Sequence, residues 1–187
     1  MVGAILTQNT AWTNVERAIG NLKHAGKLSI RAIHEMPTKA LTGLIRPSGY
    51  YNQKAARLKG LAGHIVKTYK GRLDHLFDQG TSELREELLG LKGIGPETAD
   101  AMMLYAGDHL TFVIDAYTLR FAKRYPLPFE PKYDAARDHF QRNLPTDLYI
   151  YQEFHALLDE IAKTHCRPRP DCGSCPLRGR CKRKGVH

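Results

Sequence analysis

Four cysteines fall within residues 166–181, as Cys166, Cys172, Cys175 and Cys181 in a C-x5-C-x2-C-x5-C run. One loop gathers four thiols around a compact centre only when their separations are short and turn-rich, and Pro168, Pro170, Gly173, Pro176 and Gly179 supply the turns. Four thiolates suit a tetrahedral zinc or an iron–sulfur cluster, whereas two disulfides would require an oxidising compartment. Met1 leads directly into Val2-Gly3-Ala4-Ile5-Leu6, with no basic leader or cleavage-site pattern, so metal ligation in a cytoplasmic setting is expected over disulfides. Only Cys172 and Cys175 form the C-x2-C knuckle that zinc favours, and the spacing leaves both metals open.

A chain of 187 residues can bury a core without help from cross-links, as one domain or two small lobes. It has no apolar run near the roughly 20 residues a membrane span needs, so no membrane association is expected. The 28 Lys and Arg exceed the 19 Asp and Glu, and the resulting net charge of +9 favours polyanionic partners. Apolar residues recur with helical period at Val15, Ala18, Ile19 and Leu22, at Leu58, Leu61, Ala62 and Ile65, and at Phe154, Leu157, Leu158 and Ile161. Helix starts are expected at Thr10, Ser29, Pro37 with Thr38, Ser82 and Pro131, the last opening a polar helix to Asn143. The only β-like stretch, Thr111 to Ile114, has no partner of matching pattern. The expected fold is all-α, with about ten short helices.

Within it, Leu89-Gly90-Leu91-Lys92-Gly93-Ile94-Gly95-Pro96-Glu97-Thr98-Ala99 parses as helix, hairpin, helix. Leu84 to Leu89 form a helix that stops at Gly90, Gly93 and Gly95 permit positive φ, and Pro96 opens the next helix. Unpaired amides at that helix start form an anion site suited to a DNA phosphate, and Lys92 lies beside it. The plainer alternative is an ordinary αα-hairpin capped by glycine. Asp115 follows the apolar Phe112-Val113-Ile114 and is expected to cap a helix from Ala116 to Lys123. A capping carboxylate at the mouth of a cleft can also stabilise a cationic sugar ring or orient water onto it.

The L-K-G-I-G-P-E-T-A hairpin, the V-I-D aspartate and the terminal four-cysteine loop, in this order, resemble the endonuclease III superfamily of DNA glycosylases over nearly the whole chain. The resemblance implies a two-lobed, all-α helix-hairpin-helix fold. Residues 1–109 would form the lobe holding the hairpin (about 84–106), and residues 110–187 the lobe holding the aspartate and the cysteine loop. It implies that Lys92, Gly93, Gly95 and Thr98 grip the DNA backbone, that Asp115 is essential for base excision, and that the four cysteines hold a [4Fe–4S] cluster, with zinc as the alternative. The family's usual first cysteine gap is x6, one residue longer than here. Strand-cutting members carry a Schiff-base lysine two residues after the hairpin's second glycine, where this chain has Glu97. A carboxylate cannot form an imine, so a monofunctional glycosylase is implied.

The Q-N-T triplet at Gln8, the G-Y-Y-N-Q-K-A segment from Gly49 and the D-A-Y of Asp115 to Tyr117 are most similar to the 3-methyladenine DNA glycosylase III branch, which excises alkylated purines. By that resemblance Gln8 fills the gap left by a flipped nucleotide, Tyr50 lies in the second, wedge-bearing loop, and Trp12, Glu97 and Tyr117 are candidates for the base pocket. Taken singly, Gln8 is more often a surface polar residue, Trp12 or Tyr117 could simply be core, and Glu97 is a first-turn acid favoured by the helix dipole. The expected partner is damaged duplex DNA, bound by a monomer, near the nucleoid if the source is bacterial or archaeal. Basic residues of the cysteine loop, among them Arg167, Arg169, Arg178, Arg180, Lys182, Arg183 and Lys184, are expected to add phosphate contacts or to form a solvated tail. Members of the family usually carry a further helix upstream of the region that starts here at Met1, and its loss is expected to lower stability. Alternatives are a pyrimidine-damage or uracil glycosylase, an abasic-site lyase, or a non-catalytic DNA-damage sensor.

Overall fold

A computed structural model describes residues 1–125, 127–183 and 185–186; Lys184 of the basic tail lies outside the described residues. Among the described residues, eleven α-helices and one 3-10 turn account for the regular structure, and no strand occurs. The chain divides into two compact units, Met1–Gly107 and Asp108–His187.

The first unit comprises α1 (Val2–Leu6), α2 (Trp12–His24), α3 (Ile30–Glu35), α4 (Thr38–Ile45), the 3-10 turn Arg46–Ser48, α5 (Tyr51–Tyr69), α6 (Leu73–Phe77), α7 (Thr81–Leu89) and α8 (Pro96–Ala106). The long helix α5 is its axis. It buries Ala55, Leu58, Leu61, Ala62 and Ile65 along one stripe, against which α1, α3, α4 and α6 pack. Val15, Ala18 and Leu22 of α2 are buried in the same core, and Ile19 is partly buried against it.

Ser29 caps α3, its hydroxyl accepting from Ala32 N–H at 3.2 Å, and Pro37 stands at the N-cap of α4. Other starts shift by a residue or two. The N-cap of α2 is Ala11, because Thr10 is occupied elsewhere: its hydroxyl donates to Ser48 O and accepts from Lys54. Helix α7 begins at Thr81 after Gly80, one residue before Ser82.

The second unit comprises α9 (Ala116–Arg124), α10 (Tyr133–Asn143) and α11 (Leu148–Thr164), followed by the cysteine loop. Helix α10 starts two residues after Pro131, behind Lys132. Thr111 to Ile114 have no regular structure and join no ladder among the described residues; Phe112 N–H instead donates to the Gln141 side chain at 3.1 Å. The Phe112 ring stacks on Phe140 at 4.7 Å and meets Tyr151 edge-on at 5.7 Å, forming the centre of a small aromatic core. On α11 the buried residues are Tyr151, Leu158 and Ala162, whereas Leu157 is 62% exposed, contrary to the periodicity reading. The inner face of α11 runs through positions 151, 155, 158 and 162, and Leu157 lies off it on a helix of about 3.6 residues per turn.

Candidate active site

In the first unit the hairpin lies between α7 and α8. Gly93 adopts φ +85°, and a Cβ there would fall 2.5 Å from Arg57 Nε, so both the turn and its neighbour require glycine. Gly95 departs from expectation: its φ of −96° and ψ of 177° are extended, and a Cβ on it would meet open space. Ile94 is buried and anchors the turn, while Lys92, Gly95 and Glu97 face solvent. Helix α8 opens on Pro96 with no side-chain cap, leaving first-turn amides directed outward at the positive end of the helix. The Thr98 side chain is buried, so the group it can offer a phosphate is its backbone amide. An internal ion pair braces the two helices, with Arg85 Nε 2.8 Å from Oδ1 of the fully buried Asp100.

Gln8 joins the hairpin. Its Nε2 donates to Thr98 Oγ1 at 2.8 Å and to Gly93 O at 3.2 Å, and its Oε1 accepts from Arg57. The second loop carries Tyr50 in left-handed backbone (φ 44°), 65% exposed, after Gly49 at φ +65°. A bulky residue held in that region costs about 1 kcal/mol or more, and such strain clusters at functional sites. Buried Lys54 ties the two loops together: its ammonium donates to Leu6 O and Thr10 Oγ1, both at 2.7 Å, and to Ser48 O at 2.6 Å. Trp12 is half exposed, and its indole N–H donates to Glu16 at 3.0 Å.

In the second unit Asp115 caps α9. Its Oδ1 accepts from Thr118 N at 2.7 Å and from Thr118 Oγ1 at 2.9 Å. Its Oδ2 lies 3.9 Å from His155 Nε2, and both side chains are only 13% exposed. Asp159, one turn along α11 from His155, completes a group whose ligand-type atoms all lie within 4.8 Å of one another. Lys163, one turn further, donates to Asp159 Oδ2 at 2.7 Å and supplies the local counter-charge. Burial raises the Asp159 carboxyl above the usual range, the neighbouring Asp115 carboxyl adds to the effect, and Lys163 opposes it. Burial also lowers His155 and favours the neutral imidazole, against the pull of Asp159. Tyr117, partly exposed, lies under Arg120 (5.0 Å) and Lys163 (5.4 Å).

The four cysteines are free thiols lining a single pocket, with Phe121, Tyr125, Ile161 and Leu177 around them. Arginines of α9 hold the start of the loop: Arg120 Nε donates to Cys166 O at 2.7 Å, and Arg124 donates to Arg167 O at 2.6 Å and to Pro168 O at 3.1 Å. Arg124 Nη1 also lies 3.4 Å from Cys166 Sγ, an N–H···S contact that stabilises a thiolate. Four free thiols around one pocket, with a cationic donor on one sulfur, offer the ligand set of a thiolate-bound cluster.

Residues 2–146 match the family of HhH-GPD superfamily base excision DNA repair proteins. The chain belongs to this superfamily. It is 47% identical over 98% of its length to the Methanocaldococcus jannaschii protein MJ1434, provisionally named a DNA repair glycosylase, and covers 84% of that protein. Endonuclease III of Thermotoga maritima is 25% identical, with 97% of this chain and 81% of the relative aligned. Among solved structures, Helicobacter pylori 3-methyladenine DNA glycosylase (MagIII) bound to 1,N6-ethenoadenine superposes with a TM-score of 0.78 at 32% identity, covering 87% of this chain and 82% of that one. A trapped endonuclease III–DNA covalent intermediate shares the fold, with a TM-score of 0.81 at 22% identity over 97% of this chain and 81% of that one.

Within this DNA repair glycosylase fold, the structure brings Gln8, Gly93 and Thr98 together in the first unit and Asp115 and Tyr117 near one another in the second. Sequence reasoning missed Arg57, Lys54, His155, Asp159 and Lys163. A signal existed for Lys54, which falls four residues before Leu58 on the buried stripe of α5, where a lysine must find internal acceptors. A signal existed for the α11 group as well, because positions 155, 159 and 163 repeat at helical spacing on one face. No helix among the described residues is long and apolar enough to cross a membrane.

Proposed function

We propose that this protein is a monofunctional DNA glycosylase that hydrolyses the N-glycosidic bond of an alkylated purine such as 3-methyladenine in duplex DNA and leaves an abasic site. The observation that carries this reading is a fixed carboxylate, Asp115, in a chain whose position 97 is a carboxylate where an imine-forming enzyme needs an amine. The 32% identity to a 3-methyladenine DNA glycosylase supports the substrate class.

In this reading the backbone amides of Gly93, Gly95 and Thr98, with Lys92, hold a phosphate and position the duplex without reading sequence. Gln8 and Tyr50 occupy the space left when the nucleotide turns out, offsetting about a few kcal/mol of lost stacking and pairing. Asp115 stabilises positive charge on the sugar as the C1′–N bond breaks with its electron pair leaving on the base, and accepts a proton from the water that attacks C1′. An alkylated purine already carries positive charge, so stacking on Tyr117 or Trp12 supplies selectivity and little acid catalysis is needed. The four cysteines would hold a [4Fe–4S] cluster, which when bound cross-links the loop and fixes its arginines beside the DNA. Brown protein containing iron and acid-labile sulfide is expected.

The test is a panel of duplexes bearing single lesions. The expected result is release of alkylated purine, strand scission only after alkali, no borohydride-trapped complex, and a loss of about 100-fold or more in Asp115→Asn. Scission without alkali, or undiminished excision by Asp115→Asn, overturns the reading.

A further inference from the structure

Asp115 spends Oδ1 on the first turn of α9 and keeps Oδ2 for other work. Fixing one oxygen leaves the carboxyl free to rotate about that contact unless something holds the other side. The neighbours from α11 are His155 at 3.9 Å, beyond hydrogen-bond reach, and Asp159. Asp159 is itself held, because Lys163 donates to its Oδ2 at 2.7 Å, while its Oδ1 is buried and receives no N–H or O–H donor from the protein. Two acceptor-only carboxylates this close and this little exposed repel one another, and one proton between them removes both the repulsion and the unsatisfied oxygen.

We propose that Asp159 is a positioning residue for Asp115: the two carboxyl groups share one proton, Lys163 fixes Asp159, and Asp115 carries the pair's single negative charge in a fixed orientation. This rests on the reading of Asp115 as the catalytic carboxylate. The raised Asp159 carboxyl accords with it, since burial and the contact with Asp115 outweigh the opposing pull of Lys163. The charged and titratable groups around the pair are His155 and Lys163 from α11 and Tyr117 from α9, with Arg120 behind Tyr117. During hydrolysis the proton leaving water goes to Asp115 while the proton on Asp159 stays in place, so the pair ends doubly protonated and returns one proton to solvent.

The test has two readouts. In carboxyl-13C NMR of the full chain, Asp115 and Asp159 are expected to titrate in two steps with shared midpoints, because coupled sites titrate as a pair. Asp159→Asn should collapse Asp115 to one step, and Asp115→Asn should do the same to Asp159. Independent single-step curves in the unsubstituted protein overturn the proposal whether or not any base is excised. In kinetics, Asp159→Leu should lower excision about 10- to 100-fold through misorientation. Asp159→Asn keeps an N–H donor, and should lose far less while moving the acidic limb of the pH–rate profile to higher pH, because an amide N–H steadies the Asp115 anion less than a carboxyl O–H does. Equal losses in both variants with an unmoved acidic limb also overturn it. If no duplex is processed by the unsubstituted protein, the catalytic reading fails, and the NMR titration still decides the pair.

Discussion

A methyl group added at Gly93 would lie 2.5 Å from Arg57 Nε and 2.9 Å from Arg57 Cδ, on backbone at φ +85°. Arg57 cannot swing aside without releasing Gln8, to which its guanidinium donates. Gly93→Ala should therefore destabilise the first unit by about 1–2 kcal/mol and loosen Gln8 at the same time. In denaturant titrations with duplex-binding assays alongside, the expected result is a lower unfolding midpoint together with weaker discrimination of damaged from undamaged DNA. Gly93, Asp115 and the four cysteines were legible in the sequence because each is tied to a local rule: a turn, a cap, a ligand spacing. Gly95 was not, since a glycine admits extended as readily as left-handed backbone and only its neighbours decide which. Arg57, and the meeting of Asp159 with Asp115 as distinct from the helical spacing of Asp159 with His155 and Lys163, were illegible for a different reason. The partners lie 49 and 44 residues apart in the chain, Arg57 with Gln8 and Asp159 with Asp115, and no local pattern encodes such a meeting.

At the scale of elements, periodicity located the helices and misjudged one face. Counting only apolar residues on α11 selects Leu157, because the true inner face carries His155 and Asp159 around Asp115 and is interrupted by polar groups. The Thr111–Ile114 stretch looked β-like for a sound reason, its buried apolar side chains, but the Phe112 N–H within it is satisfied by a glutamine side chain rather than by a strand. A polar cluster between α5 and α7 makes a separate prediction. Glu87 accepts from His64 at 2.5 Å, from Tyr69 OH at 2.6 Å and from Gln79 at 2.8 Å. Burial alone would raise its carboxyl, yet the three hydrogen bonds outweigh it and the net shift is downward from 4.5. A depressed acid contributes stability that is present above its unfolded value and is lost as pH falls through its folded one. The stability gap between the unsubstituted protein and Glu87→Gln should thus be widest at neutral pH and shrink on acidification below pH 4.5, as read by urea denaturation at a series of pH values.

For the molecule as a whole, the decisive quantity is the net charge of +9 and where it is placed. Arg120 and Arg124 are turned inward, with their donors on carbonyls at the start of the cysteine loop, so they stiffen that loop and are not available to DNA as free charges. Arg167, Arg169, Arg180 and Lys182 are exposed and make no such inward bonds among the described residues, so they are able to meet phosphates, as are the exposed Arg178 and Arg183. Each phosphate neutralised releases counterions and adds about 0.9 to the slope of log affinity against log salt. Replacing Arg167, Arg169 and Arg180 together by glutamine should flatten that slope by up to about 3 × 0.9 for undamaged and damaged duplex alike, because phosphate contacts carry no lesion information. Lys92→Gln at the hairpin should flatten it by no more than about 0.9 on the same grounds. Fluorescence anisotropy at four or five salt concentrations measures both. An unchanged slope in the triple variant would assign the exposed arginines to a solvated tail, leaving the hairpin and its helix start as the sites of phosphate contact.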